Sequence, residues 1–409
     1  MKVKLTGPSN PLLKSSIQIT GSKSESNRLL LLKALFPNIK ISNLSNSDDA
    51  RVMQKGLKIA IGEVDIHHAG TAMRFLTGYF SSQEGKEVIL TGSQRMTERP
   101  IKILVEALRG LGADIEYVKN EGYPPIKIKG KTLSNNKVSL PADISSQYIS
   151  SLLLIAPSLV NGLELNLIGK ITSVPYIKMT LGLLNQIGVE TSFEGNTIRV
   201  SPKTSVDQIE LVVESDWSSA SYFYSIVALS AKGAEIKLSA YKETSLQGDS
   251  ILSGIYNDFG VETSFLDGKI IIRKIQDCIL ESFNYDLANA PDIAQTIAVT
   301  CLGLGIGCEL TGLHTLKIKE TDRLKAMHTE FSKLGAKVII TDKSLILERS
   351  KEIITDVSID TYNDHRMAMA FAPLALKTTL KINDAEVVSK SYPDFWEDLR
   401  KLKIRVQEL

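Results

Sequence analysis

Four stretches of the chain share one arrangement of apolar and polar positions: LRGLGADIEYV, LNQIGVETSFEGNTIRV, YNDFGVETSFLDGKIIIRK and FSKLGAKVIITDKSLILER. Each reads as the end of an amphipathic helix, then a glycine, then a strand that alternates between apolar and polar residues. In the last three, a turn (EGN, LDG or TDK) and a second strand follow. A glycine just past the last helical turn suits the left-handed backbone that caps a helix.

These glycines are Gly112, Gly188, Gly260 and Gly335, and the intervals between them are 76, 72 and 75 residues. A fainter copy, MQKGLKIA, contains Gly56, and another, LRKLKIRV, closes the chain with Lys403 where the glycine would stand. Periods this long mark supersecondary units rather than short solenoid repeats. Six α/β units divide naturally into two groups of three, so the pattern predicts two similar domains with a ligand-binding cleft between them. The length of 409 residues fits, because single cores stop growing beyond about 250–300 residues.

Composition narrows the class. With 43% hydrophobic and 23% charged residues the chain reads as a soluble globular protein, and a net charge of +2 supplies no field that calls for nucleic acid or a membrane. Scattered aromatics speak against a base-stacking surface. Cys278, Cys301 and Cys308 have neither zinc-site nor disulfide-framework spacing, and read as small buried hydrophobes in a reducing cytosol. The start, MKVKLTGPSN, has no apolar signal core, and the run YISSLLLIAPSLV is shorter than the roughly 20 residues a membrane span takes. The histidines offer no ligand pair, so a metal-dependent mechanism is not expected.

Candidate chemistry gathers at element ends. GSKSESNR carries Lys23, Ser24 and Arg28; AGTAMRFL carries Gly70, Thr71 and Arg74; RMTERPIKILVEAL carries Arg95 and Arg99, with Pro100 at a first-turn position. DISSQYISSLLL carries Ser145, Ser146 and Gln147, and ITSVPYIKMTL carries Ser173 and Tyr176. KIKETDRLKAM carries Lys319, Glu320 and Arg323, YNDHRMAMAFAPLAL carries Asp364 and Arg366, and VVSKSYPDFWEDL carries Lys390. A helix start offers unpaired N–H groups and partial positive charge, and an added Lys or Arg makes an anion site. Singly, each is as well read as a cap or a solvated face. Together they suggest several ends aimed at one polyanionic target.

Two acids differ from the rest. Asp292 lies in the apolar ANAPDIAQTIAV, where ionisation is disfavoured, or it is a helix cap. Glu320 lies between Lys319 and Arg323, and pairs with Arg323 at i, i+3 if the helix has begun. Different settings suit different acid–base roles. GSKS lacks the spacing of a phosphate-binding P-loop, and GLGIG at 303–307 reads as a helix exit rather than a dinucleotide loop. There is no Gly-x-Ser-x-Gly elbow and no Cys–His nucleophile pair.

GSKSESNR, AGTAMRF, RMTERPI, SSQY, SDWSSASYF, SLQGD, KIKETDRL and YNDHRMAMAF follow the order found in the 5-enolpyruvylshikimate-3-phosphate (EPSP) synthase family, and the resemblance runs from Lys23 to about Asp394. It implies an α/β fold of two similar domains, each of three inverse βαβαββ units, with an inter-domain cleft. The implied domains are 21–214, and 1–20 joined to 215–409. The implied reaction moves the enolpyruvyl group of phosphoenolpyruvate to the 5-hydroxyl of shikimate 3-phosphate, with no metal, nucleotide or flavin.

Carried over by position, Lys23 resembles a contact to both substrates. Ser24, Arg28, Ser145, Ser146, Ser173 and Tyr176 resemble the shikimate 3-phosphate site, with Gln147 between the substrates. Gly70, Arg99, Arg323, Arg366 and Lys390 resemble the phosphoenolpyruvate site. Asp292 resembles the proton acceptor at the 5-hydroxyl, Glu320 the proton donor to the enol, and Lys319 a support for both. The chain departs from the familiar pattern at His68 and Thr315, where Asn is usual, and at Phe75. A UDP-N-acetylglucosamine enolpyruvyl transferase is the nearest rival, but GSQRMTERPIK has no cysteine in the mobile-loop motif. An inactive anion-binding paralogue would lack Lys23, Asp292, Glu320 or Lys390, and all four are present. The expected partners are the two small substrates, without nucleic acid or membrane, acting on a cytoplasmic monomer.

Overall fold

The computed structural model describes residues 1–8, 13–142, 145–171, 174–350 and 352–409. The chain forms two compact units, one of Gly21–Val213 and one of Met1–Thr20 with Glu214–Leu409.

Both units are built from one sheet pattern. In the first, Ile61–Asp65 lies parallel to Glu87–Thr91, which pairs antiparallel with Ile126–Lys129, itself antiparallel to Asp114–Tyr117. Helices Gly70–Ser81 and Lys102–Gly110 fill the connections, giving strand–helix–strand–helix–strand–strand. A parallel pair needs such a crossover, whereas the closing antiparallel pair needs only a short turn. Strands Lys137–Pro141, Leu163–Ile168, Thr197–Val200 and Thr191–Glu194 repeat the pattern in the same order.

The other unit holds three such sheets. One runs Lys14–Ile17, Glu235–Ser239, Lys269–Lys274, Val261–Leu266, and a second Ser282–Asp286, Gly307–Thr311, Leu345–Leu347, Val338–Ile340. The third runs Val357–Ile359, Leu380–Ile382, Val3–Thr6, Arg405–Glu408. Val3–Thr6 and Lys14–Ile17 are therefore ladder members of sheets whose other strands lie after residue 234. That hydrogen bonding is why the first twenty residues belong with the second half of the chain.

Gly112, Gly188, Gly260 and Gly335 all have positive φ, between 75° and 106°, as their helix-exit positions require. Lys403 takes the same left-handed backbone at φ 61°. The fainter copy at Gly56 is corrected. Gly56 lies inside helix Asp48–Leu57, and the next strand, Ile61–Asp65, belongs to a sheet already counted. A Cβ on Gly56 would lie 2.6 Å from Leu76 Cδ1, so this glycine serves close helix packing, not a cap. The sixth unit is instead reduced to a parallel pair, Ile39–Ser42 with Ile209–Val212.

Each unit has central helices. Trp217–Leu229 is buried along its whole length, and Lys23–Leu35 is buried from Glu25 through Leu32. Helix Lys23–Leu35 packs on Gly70–Ser81, Ser146–Ile155 and Val174–Gln186. Of the buried polar residues at the start of Lys23–Leu35, Ser26 accepts from Ser45 N and Arg28 donates to Thr180 and Ser150, while the Asn27 side chain has no hydrogen-bond partner among the described residues. Among the described residues no helix is long and apolar enough to cross a membrane.

Candidate active site

In the unit containing residues 214–409, Arg323 is the hub. Its guanidinium is 1% exposed and donates from Nη1 to Asp292 Oδ1 at 2.9 Å, from Nη2 to Glu320 Oε2 at 2.8 Å, and from Nε to Asp364 Oδ2 at 2.6 Å. Burial opposes the guanidinium's charge, but Asp364, Glu320 and Asp292 outweigh it and raise its pKa above the ordinary value. Asp364 also caps helix His365–Phe371 by accepting from Arg366 N at 2.9 Å. One carboxylate thus anchors both the helix and the guanidinium.

Asp292 lies in the 3-10 turn Pro291–Ile293 and has three cations around it. Lys319 Nζ is 3.3 Å away and Arg366 Nη2 is 3.3 Å away, beside the bond from Arg323. The apolar setting expected from ANAPDIAQTIAV is corrected: the apolar residues around it in sequence face the core, while chain segments far away supply charges to its carboxylate. Glu320 pairs with Arg323 at i, i+3 as the sequence suggests, but before the helix has begun. Helix Arg323–Lys333 starts after Glu320, with Asp322 as its cap, so the Glu320–Arg323 pair forms from the preceding turn rather than across a helix face. Arg366 also donates to Ser218 Oγ at 3.2 Å, and Ser218 donates in turn to Asp249. Lys390 Nζ donates to the Asn363 carbonyl at 2.6 Å.

In the unit of Gly21–Val213, four helix starts come together. Gln147, in the first turn of Ser146–Ile155, donates to Thr71 Oγ1 at 3.3 Å, and Ser145 caps that helix. Gly70 begins helix Gly70–Ser81, and a Cβ there would lie 2.6 Å from Arg99 Nη1, so Arg99 rests against this helix end. Arg74 lies beneath, donating to the Gly70 carbonyl at 3.1 Å; burial, and then Arg99, push its pKa down to about 10. Arg28 is buried and donates to Thr180 Oγ1 at 2.8 Å, Ser150 Oγ at 2.9 Å and the Ser24 carbonyl at 2.8 Å. Its guanidinium faces the Phe75 ring at 5.3 Å, and burial lowers its pKa to about 10. Lys23, the first helical residue, is 3.5 Å from Asp49. Tyr176 sits in the first turn of Val174–Gln186, and its carbonyl accepts from Thr180 Oγ1 at 2.9 Å.

The structure therefore gathers Lys23, Ser24, Arg28, Gly70, Arg99, Ser145, Ser146, Gln147 and Tyr176 at helix starts of one unit, and Asp292, Lys319, Glu320, Arg323 and Arg366 around one guanidinium in the other. Ser173 lies outside the described residues. Arg95 stands apart in an exposed pair with Glu98. Pro100 is not in a first turn, because helix Lys102–Gly110 starts beyond Ile101 and the Pro100 carbonyl accepts from Tyr148 Oη at 2.6 Å. Sequence reasoning missed Asp249, Ser218, Ser150 and Thr180. The first two lie within SLQGD and SDWSSASYF, but nothing in those strings says that a serine and an aspartate about thirty residues apart meet. Among the departures from the familiar pattern, Phe75 is buried and Thr315 Oγ1 is buried without a hydrogen-bond partner among the described residues.

Known proteins resemble this chain in sequence and in fold. The sequence model of the EPSP synthase (3-phosphoshikimate 1-carboxyvinyltransferase) family matches residues 60–399. A 3-phosphoshikimate 1-carboxyvinyltransferase of Bacteroides fragilis is 47% identical over 408 residues, covering 98% of both chains. One from Aliivibrio fischeri is 37% identical over 421 residues, covering 95% of this chain and 97% of its own. An EPSP synthase structure from Acinetobacter baumannii superposes over 100% of both chains with a TM-score of 0.82 at 21% identity, which speaks to the fold. With family, full-length relatives and fold in agreement, this chain belongs to the EPSP synthase family, the 3-phosphoshikimate 1-carboxyvinyltransferases.

Proposed function

We infer that this enzyme transfers the enolpyruvyl group of phosphoenolpyruvate to the 5-hydroxyl of shikimate 3-phosphate, releasing phosphate and giving 5-enolpyruvylshikimate 3-phosphate for aromatic amino acid biosynthesis. The observation that carries the mechanism is the guanidinium of Arg323 holding Asp292 and Glu320 at 2.9 and 2.8 Å. Two acids fixed on one rigid fork can act on neighbouring atoms of a reacting pair.

Glu320 donates a proton to the methylene carbon of phosphoenolpyruvate. It is the more open of the two acids, 30% exposed against 10% for Asp292. The carbon bearing the phosphate becomes cationic and the 5-hydroxyl adds to it, giving up its proton to Asp292. A proton acceptor must be anionic, and Lys319, Arg323 and Arg366 around Asp292 favour that form. The tetrahedral adduct then loses phosphate, which takes up the proton held by Asp292, and the carboxylate left on Glu320 removes a proton from the new methyl group to regenerate the double bond.

Both substrates carry a phosphate and a carboxylate, so bringing them together costs like-charge repulsion that grows as water leaves. Lys23, Gly70, Arg99, Gln147, Arg323, Arg366 and Lys390 are assigned to phosphoenolpyruvate. Lys23, Ser24, Arg28, Ser145, Ser146, Gln147, Ser173, Tyr176, Asp292 and Lys319 are assigned to shikimate 3-phosphate. The cations in the unit of Gly21–Val213 support this most directly, because Arg28, Arg74 and Arg99 crowd helix starts with Lys23, which pairs with Asp49. Arg323 binds an anion only by releasing part of its hold on carboxylates. Residues 21–214, and 1–20 with 215–409, are the two enolpyruvyl-transferase domains, and the enzyme works as a cytoplasmic monomer.

A coupled phosphate-release assay with phosphoenolpyruvate and shikimate 3-phosphate tests the reading, with UDP-N-acetylglucosamine as the control acceptor. Release dependent on shikimate 3-phosphate alone is expected. Release with the sugar nucleotide instead would overturn it.

A further inference from the structure

Asp249 is a buried carboxyl that the mechanism does not use. It lies in the 3-10 turn Gly248–Ile251 and is 6% exposed. Its Oδ2 accepts a hydrogen bond from Ser218 Oγ, in the first turn of helix Trp217–Leu229. Ser218 Oγ accepts from Arg366 Nη2 at 3.2 Å, and that nitrogen is 3.3 Å from Asp292 Oδ2. A serine hydroxyl has one proton and two lone pairs. Giving the proton to Asp249 leaves the lone pairs to receive the guanidinium. The order of contacts is thus Asp249, Ser218, Arg366, Asp292.

We propose that Asp249 is a positioning residue for the transfer: through Ser218 it sets where the Arg366 guanidinium stands against Asp292, and hence how Arg366 grips phosphoenolpyruvate. This rests on the assignment of Arg366 to that substrate. A role in filling space alone accounts poorly for the choice of residue. Burying a carboxyl with a hydroxyl as its donor is costly, and an uncharged residue of the same shape avoids the cost.

The charged and titratable groups facing Asp249 are Asp292, Arg366 and Asp216. Burial, and then Asp292, push its carboxyl up to about 7, with Arg366 and the Ser218 hydroxyl pulling the other way. Protonation near neutral pH places a second hydrogen on the Asp249–Ser218 contact. Asp249 can then donate to Ser218, the serine proton is no longer held towards Asp249 and can turn towards Arg366, and the guanidinium loses its stop.

The test is steady-state kinetics with both substrates from about pH 6 to about pH 8.5 on Asp249→Asn, Asp249→Ala and Ser218→Ala, with melting curves to confirm folding. Asp249→Ala and Ser218→Ala are expected to raise the KM for phosphoenolpyruvate about tenfold while the KM for shikimate 3-phosphate stays within about twofold. The double variant should be no worse than either single one, because the two residues act in series. Asp249→Asn, which keeps an acceptor for Ser218, should restore most of the affinity. Relative to the wild type, it should lose the weakening of phosphoenolpyruvate binding below about pH 7. Should Asp249→Ala fail to fold, Ser218→Ala reads the same contact. Constants within about twofold of the wild type in Ser218→Ala, or equal rises for both substrates, would overturn the proposal. Arg366→Lys is the separate control. An unchanged KM there overturns the site assignment itself, whereas a raised KM there with unchanged Ser218→Ala overturns only the role of Asp249.

Discussion

Arg99 lays its guanidinium where a side chain on Gly70 would begin: a Cβ at Gly70 would come within 2.6 Å of Arg99 Nη1 and 3.3 Å of Arg74 Nη1. The open helix start and the cation therefore share one space that only glycine leaves free. Gly70→Ala is expected to displace Arg99, since Arg74 beneath is held by the Gly70 carbonyl and cannot give way as readily. The KM for phosphoenolpyruvate should rise about tenfold, while the melting temperature stays level or rises, because alanine is the better helix residue by up to about 1 kcal/mol. Kinetics and a melting curve on the same preparation check both halves.

Asp292→Asn and Glu320→Gln keep the hydrogen-bonding shapes around Arg323 but remove the proton acceptor and donor. Each should lower turnover by ~10² to 10⁴ with unfolding midpoints little changed. Near-normal turnover in either would remove that residue from the proton transfers.

Stability should depend on pH through Asp249. Its carboxyl is raised in the fold from an ordinary 3.8 to about 7, so the folded state holds this proton more tightly than the unfolded chain. The resulting stabilisation is complete below the unfolded value and is lost as pH rises through about 7, by roughly 4 kcal/mol at most. Asp249→Asn does not titrate. Denaturant unfolding between pH 4 and pH 8 should therefore show the variant gaining on the wild type as pH rises; a constant difference across the range would contradict this.

Arg28 ties three helices together through Ser24, Ser150 and Thr180. Arg28→Lys keeps a charge but not the planar fork, leaving a buried hydroxyl or carbonyl without its donor. It should cost about 1–3 kcal/mol and raise the KM for shikimate 3-phosphate. Urea unfolding and initial rates separate the two effects.

Lys403 is exposed and holds φ 61° at a helix exit where four repeat copies use glycine. Lys403→Gly should relieve about 1 kcal/mol of backbone cost without touching activity. A raised unfolding midpoint with unchanged turnover is the expected result.

The repeat was legible because it is local. Helix periodicity, the glycine that ends each helix and the alternating hairpin all follow from neighbours in sequence, which is why Gly112, Gly188, Gly260, Gly335 and even Lys403 declare themselves. Gly56 misled for the same reason: its glycine answers to Leu76, twenty residues away. The motif residues around Lys23, Gly70 and Glu320 could be singled out because cations and small polar residues at helix starts have a short-range signature.

What the sequence by itself determined, then, is the set of helix-to-strand units and the acids and bases placed at their ends. Tertiary structure decided which of these carry bare charge and which are neutralised. Asp292 looks apolar among its sequence neighbours, yet meets Lys319, Arg323 and Arg366 in space. Asp249 enters the picture only through Ser218. Electrostatic surroundings are set by distance in the fold, and chain segments tens of residues apart supply most of the charges within reach.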